Sequence, residues 1–195
     1  MEKVAEFEKL IANFYNAPYA VAVDCCTHAI ELCLRLYKPL KYVTCPKHTY
    51  LSVPMTFANL NLNWGWTDEE WEDYYYLGDT NIIDAAVYWK KNGYIPNTKM
   101  CLSFQFKKHL NLGRGGMILL DNEADAVLLR KMRYDGRQDN IPWMEQDVDT
   151  MGYHYYMTPE TAQRGIYRFA SAEVTEPRKW TCQDYPDISK MKVFN

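Results

Sequence analysis

The stretch that most constrains the chain is Cys101–Gly116. There an apolar run, Cys101–Phe104, passes into Lys107 and Lys108 and then into a glycine cluster, ahead of a second apolar run, Met117–Leu120. Two short apolar runs around a polar, glycine-rich connection predict two buried strands joined by a loop. A lysine on such a loop has two readings. It is a solvated basic turn, or it is an ammonium held between strands, whose lost hydration must be offset by a partner or by a covalent bond to a carbonyl compound.

The rest of the chain supplies the frame. Val4, Phe7, Leu10, Ile11 and Phe14 recur at helical spacing and predict a helix over residues 3–15, ended at Asn16-Ala17-Pro18. Tyr19–Val23 reads as a strand, followed by Asp24-Cys25-Cys26-Thr27 and a helical pattern through Tyr37. A strand, a polar turn and a helix form a unit whose helix N-terminus can hold a phosphate, and Thr27 stands where an N-cap or a phosphate-binding hydroxyl belongs. Lys41–Cys45 predicts a second strand, and Pro54 fits the first turn of a helix running to Leu62. Residues 63–79, rich in aromatics and acids, read as a compact connection with a helical turn at Asp68–Asp73.

Asn81–Asp84 is a strand ending in an aspartate, the end at which open α/β sheets bind ligands; the alternative for Asp84 is a helix N-cap before Ala85. Glu123–Tyr134 and Pro159–Ala172 predict two further helices, the first closed by Gly136 and the second capped by Thr158. Residues 138–151 read as a loop. The chain therefore divides into a compact α/β domain over residues 1–172, with a mixed, mainly parallel sheet, and an extended tail over residues 173–195.

Composition narrows the function. With a net charge of -3 and no long run of one sign, nothing marks a general nucleic-acid binder. The six cysteines show no CxxC spacing, so neither a metal centre nor a disulfide framework is expected. The polar, amphipathic start and the lack of any apolar stretch near 18 residues predict a cytoplasmic protein without a membrane partner.

The order of these features resembles the DegT-type sugar aminotransferases, pyridoxal-phosphate (PLP) enzymes of fold type I. Ala20–Leu34 is similar to the family's YAVAVSSGTAALELAL, Gly116–Gly136 to its GGMVVTNDEELAERLRLLRNHG, and Gly152–Gly165 to its GYNYRMSDIQAALG; the likeness runs over roughly residues 5–170. Ser103 and Lys108 keep the family spacing Ser-x-x-x-x-Lys, which the neighbouring Lys107 does not. The resemblance implies that Lys108 carries PLP covalently and that Asp84 pairs with its ring nitrogen. It further implies that Ser103 and Thr27 bind the phosphate with the turn at Cys26, and that Tyr50 stacks on the ring. His154, where the family has asparagine, is implied to reach the phosphate of a neighbouring subunit in a homodimer.

Several positions depart from the pattern. Cys26 replaces the glycine of the phosphate turn, Val87 follows Asp84-Ala85-Ala86 in place of His or Gln, and Tyr156 replaces an arginine. The segment between Tyr50 and Asp84 is short, and the small C-terminal domain is essentially missing. The reading implied is an aminotransferase that moves an amino group from an amino acid, glutamate being expected, to a nucleotide-linked keto-sugar. The alternative is a non-catalytic relative that binds PLP or a sugar nucleotide as a regulatory or interaction module. A nucleotide-phosphate loop at Gly113–Gly116 is a third reading, and it lacks the Gly-Lys-Ser/Thr ending such loops carry.

Overall fold

The structure, a computed structural model, describes residues 1–37 and 40–194; Asn195, the last residue of the expected tail, lies outside them. A five-stranded sheet forms the centre, in the order β1 (Tyr19–Val23), β7 (Gly116–Leu120), β6 (Lys99–Ser103), β5 (Ile82–Asp84), β4 (Tyr75–Tyr76). A separate parallel pair joins β2 (Val43–Pro46) to β3 (Trp64–Thr67). The α/β class expected for a reduced PLP-transferase domain is present, but the strand directions differ from a mainly parallel sheet. Within the five-stranded sheet β5 and β6 run parallel, whereas β1/β7, β6/β7 and β4/β5 are antiparallel. The physical reason lies in the connection: the loop 104–115 brings the chain straight back beside β6, so β6 and β7 form a hairpin and no crossover helix intervenes.

Two helical layers cover the sheet. Along β1, β6 and β7 successive side chains alternate between two apolar clusters, as the strand period requires. Ala20, Ala22, Met100, Leu102, Met117 and Leu119 face α1 (Glu2–Tyr15) and α5 (Pro159–Val174), through Phe7, Ile11 and Phe169. Val21, Val23, Cys101, Ile118 and Leu120 face α2 (Cys26–Leu36) and α4 (Glu123–Arg133), through Ile30, Cys33 and Leu129. The strands are buried on both faces, which is why they read as continuous apolar runs.

Helix ends follow local chemistry. Asn16 closes α1 in the left-handed conformation at φ 58°, and the Thr158 hydroxyl accepts from Thr161 N to cap α5. The helical turn expected at Asp68–Asp73 is not formed. Residues 64–67 instead pair with β2, and α3 (Ser52–Asn59) is shorter than its apolar pattern.

After α5 the chain has three short 3-10 turns and lies against the segment before β4 and the residue after β2. Cys182 N donates to Trp71 O at 3.0 Å, Asp73 N to Trp180 O at 2.9 Å, and Ile188 N to Lys47 O at 3.0 Å. Among the described residues no helix is long and apolar enough to cross a membrane.

Candidate active site

β5 and β6, the parallel pair, end side by side at Asp84 and Ser103, and the loop 104–115 leaves β6 from that end. A cavity of about 1130 Å³ opens there. Cys26, Thr27, Tyr50, Asp84, Ser103 and Lys108 all line it, so six of the seven residues singled out in the sequence converge on one site. The seventh, His154, does not. It is exposed and hydrogen-bonds Asp135 at 3.1 Å on another part of the surface.

Lys108 owes its place to how its loop is pinned. Phe104 N donates to Gly115 O and Leu112 N to Phe104 O, while buried Leu110 and Leu112 anchor the far limb. His109 Nε2 lies 2.8 Å from Ala172 O, and Arg164 donates to Leu112 O at 3.0 Å, which ties the loop to α5. In this frame Lys107 is exposed beside the Phe106 ring and Lys108 is half-buried. Lys108 Nζ sits 5.5 Å above the Trp180 ring and, among the described residues, makes no ion pair or hydrogen bond. Burial lowers its pKa below the ordinary lysine value, with the Asp84 charge acting in the opposite direction.

Asp84 is buried at the end of β5. Its Oδ1 accepts from Ala86 N at 3.0 Å, and its Oδ2 accepts from the Tyr75 hydroxyl at 2.6 Å. Burial raises its pKa, while the bonds from Tyr75 and Ala86 and the Lys108 charge favour the carboxylate. Asp84 is followed by a turn, so the N-cap alternative does not apply.

The N-terminus of α2 forms another wall. Cys25, not Thr27, is the N-cap residue; Thr27 lies in the first turn and donates to Ser52 Oγ at 2.8 Å. Cys26 Sγ donates to the Cys101 carbonyl at 3.4 Å, so the side chain that replaces glycine is turned toward the sheet. Gly116 provides the clearance under this turn, because a Cβ there would lie 2.4 Å from the Cys25 carbonyl carbon and 2.6 Å from Cys26 N. The glycine cluster therefore seats the turn itself.

Beside the turn, Asp24 binds both His28 Nδ1 at 2.6 Å and Arg114 at 2.7 Å. Burial disfavours the His28 cation, but the bonds from Asp24 and Cys25 outweigh it and raise the pKa to about 9. Burial likewise opposes the Asp24 charge, and its two cationic partners overcome it and lower the pKa. At neutral pH this set carries one net positive charge at a helix N-terminus, an environment suited to an anion. Ligand atoms of Asp24, Cys25 and His28 lie within 4.8 Å of one another, but the carboxylate already serves the guanidinium and the imidazole.

Several cavity residues other than Thr49 escaped the sequence reading. Tyr75 and Thr49 back Asp84, and Trp71, Arg178, Trp180 and Tyr185 supply the wall opposite the loop. The last three come from the segment read as an extended tail, which lines one wall of the cavity. The only sequence signal for them was the aromatic density of residues 64–76 and of the tail.

A half-buried lysine on a strand loop, a buried carboxylate at a strand end and a cationic helix N-terminus meet in one cavity, the arrangement that the resemblance implies for a pyridoxal-phosphate site. The comparisons agree. The profile of the DegT/DnrJ/EryC1/StrS aminotransferase family matches residues 1–87 and 83–185, and the chain belongs to this family. The uncharacterized protein MJ1066 of Methanocaldococcus jannaschii is 22% identical over 91% of the chain and 59% of its own length. AtS13 from Actinomadura melliaura shares the fold at a TM-score of 0.77 and 19% identity, over 89% of this chain and 61% of that one. Spr1654 of Streptococcus pneumoniae, provisionally named a sugar aminotransferase and solved in its PLP form, matches at 0.70 and 16%, over 87% and 59%. The chain thus spans about 60% of the length of these relatives.

The residues present fit the cofactor. Asp84 keeps lone-pair directions free on both carboxylate oxygens after its two hydrogen bonds, and the Lys108 amine has no competing hydrogen-bond or ion-pair partner among the described residues.

Proposed function

We propose that this chain is a PLP-dependent aminotransferase that takes its amino group from an amino acid, glutamate in the first instance, and delivers it to a nucleotide-linked keto-sugar. The observation that carries the proposal is the unpaired, half-buried Lys108 in the same cavity as buried Asp84. When bound, PLP supplies an electron sink that stabilises negative charge at the carbon bearing the amine. Lys108 Nζ is the attachment point and the base. Once the donor's amine has displaced it from that attachment, its pKa, lowered by burial, would leave it a free amine at lower pH than an exposed lysine, able to accept the proton of the substrate carbon and return it.

Asp84 holds the positive charge of the ring nitrogen through its carboxylate. Thr27, Ser103 and the first turn of α2 take the phosphate, and Tyr50 forms the wall beside the ring. The tail residues Trp180 and Tyr185 exclude water from the Lys108 side. His154, exposed on the segment 152–157, serves the phosphate of a second copy in a homodimer, since its side chain lies away from its own cavity.

The test is the absorbance of purified protein with PLP. The visible band of a lysine-bound cofactor is expected in the wild type and in Lys107→Ala, and its loss is expected in Lys108→Ala; the opposite pattern refutes the assignment. Glutamate should then bleach the band, and a panel of nucleotide-linked keto-sugars should restore it. A second reading, a PLP-binding module without turnover, is favoured by the chain's span of about 60% of its relatives' length. A stable band that no amino donor bleaches selects that reading.

A further inference from the structure

We infer that Tyr75, backed by Thr49, is the positioning residue that keeps the Asp84 carboxylate charged and aimed at the cofactor ring. The inference rests on the functional reading above and extends it to residues that neither the motif nor the family match assigns.

The geometry begins in the sheet. β4 and β5 are antiparallel, and Tyr75 is directly opposite Asp84 in their register, so the two side chains project from the same face. Tyr75 is 4% exposed, Thr49 2% and Asp84 6%, so water does not compete for their polar atoms. The phenol donates to Asp84 Oδ2 at 2.6 Å, and the Thr49 hydroxyl hydrogen-bonds the phenol oxygen. Since the single phenolic proton goes to the carboxylate, Thr49 must donate its own proton to the phenol oxygen. The three groups form a donor chain, Thr49 to Tyr75 to Asp84, that ends on an acceptor. A chain in this direction favours the ionised carboxylate and opposes the burial that would otherwise neutralise it.

The packing fixes the chain in place. Tyr75 lies 5.3 Å from the Trp71 ring, and Thr49 sits just ahead of α3, so neither is free to turn away. The other titratable groups coupled to Asp84 are Lys108, Cys26, Cys45, Cys101 and Tyr185. Of these only Lys108 can contribute positive charge, and once bound covalently its nitrogen is a weaker base than the free amine. In the loaded protein the donors left to Asp84 on the protein side are Tyr75 and Ala86 N. Without Tyr75 the carboxyl group takes up a proton more readily, and a neutral carboxyl cannot balance a positive ring nitrogen.

The experiment loads wild type, Tyr75→Phe and Thr49→Val with PLP labelled with nitrogen-15 in the ring, and reads the nitrogen chemical shift at neutral pH. The wild type should show the protonated-ring value. Tyr75→Phe should move toward the unprotonated value, Thr49→Val should move the same way by less, and glutamate-driven bleaching should slow at least about tenfold in Tyr75→Phe. An unmoved nitrogen shift with bleaching within twofold of wild type overturns the inference. If Tyr75→Phe does not fold, the Thr49→Val shift decides alone, and no movement there overturns it.

If the wild type binds no PLP, the functional reading fails. The Tyr75 inference is then judged on the carboxyl carbon-13 titration of Asp84 in the ligand-free chain. A midpoint higher in the variant supports it, and an unchanged midpoint overturns it.

Discussion

His28 is the residue whose charge the surroundings alter most visibly, and it makes stability depend on pH. Its folded pKa of about 9 lies above the ordinary 6.5, so its contribution is fully present below about pH 6.5 and is lost as pH rises through 9. A gap of this size is worth on the order of 3 kcal/mol at most. The melting temperature of the wild type should fall between pH 6.5 and 9, and His28→Gln should flatten that limb; equal slopes would show that the Asp24 contact carries no net energy. At this scale the sequence was most legible where spacing was rigid. The Ser-x-x-x-x-Lys interval separated Lys108 from Lys107, and the structure shows the physical difference, one half-buried and one exposed. Tyr75 and Trp180 were not legible, because their roles arise from pairing and packing between distant segments and no local pattern marks them.

Among the elements, the turn from β1 into α2 decides whether the cofactor pocket has a floor, and it rests on Gly116 of β7. Gly116→Ala places a methyl group 2.4 to 2.6 Å from backbone atoms of Cys25 and Cys26, which have no flexible side chain to give way. The expected cost is about 1–3 kcal/mol in chemical denaturation, with PLP affinity falling further than stability alone explains if the turn holds the phosphate as proposed, since Cys25 and Cys26 line the cavity. Retained affinity in a destabilised variant would show that the turn is not part of the phosphate site. A second tie holds the same strand from behind. Glu8 of α1 accepts from Ala22 N and pairs with buried Arg133 of α4, which also donates to Ala22 O at 2.6 Å. Replacing Glu8 by Gln leaves the Arg133 charge less compensated in the interior and should destabilise the fold by about 3 kcal/mol, measured by urea denaturation. Periodicity revealed α1, α2 and α4 because each has one apolar stripe, and the Thr158-Pro159 cap revealed α5. It could not reveal strand direction, since a strand buried on both faces has the same composition whether its neighbour runs parallel or antiparallel. Nor did it find β4, two residues long and defined only by its register with β5.

The molecule as a whole closes its site with its own C-terminal segment. The chain spans about 60% of the length of relatives that share the fold, and here Arg178, Trp180, Asp184 and Tyr185 lie along the far wall of the cavity. The anchor of that segment is Ile188, 1% exposed and tied through its N–H to Lys47 O, with His48 Nδ1 2.8 Å from Tyr185 O. Trp180, between this anchor and α5, contacts Lys108 with its ring and is itself only partly buried. The two residues therefore separate anchoring from enclosure. Ile188→Ala should cost about 2–4 kcal/mol, as expected for shortening a fully buried side chain. Trp180→Ala should leave the melting temperature nearly unchanged but expose the amine, so that Lys108 reacts several-fold faster with an acylating reagent, scored by peptide mapping against Lys107 as the internal exposed standard. If Lys108 in Trp180→Ala reacts no faster than in wild type, the tail is only a structural strap. If both variants accelerate Lys108, enclosure depends on the whole segment staying docked, and the C-terminal segment is then part of the active site in the same sense as the loop that carries the lysine.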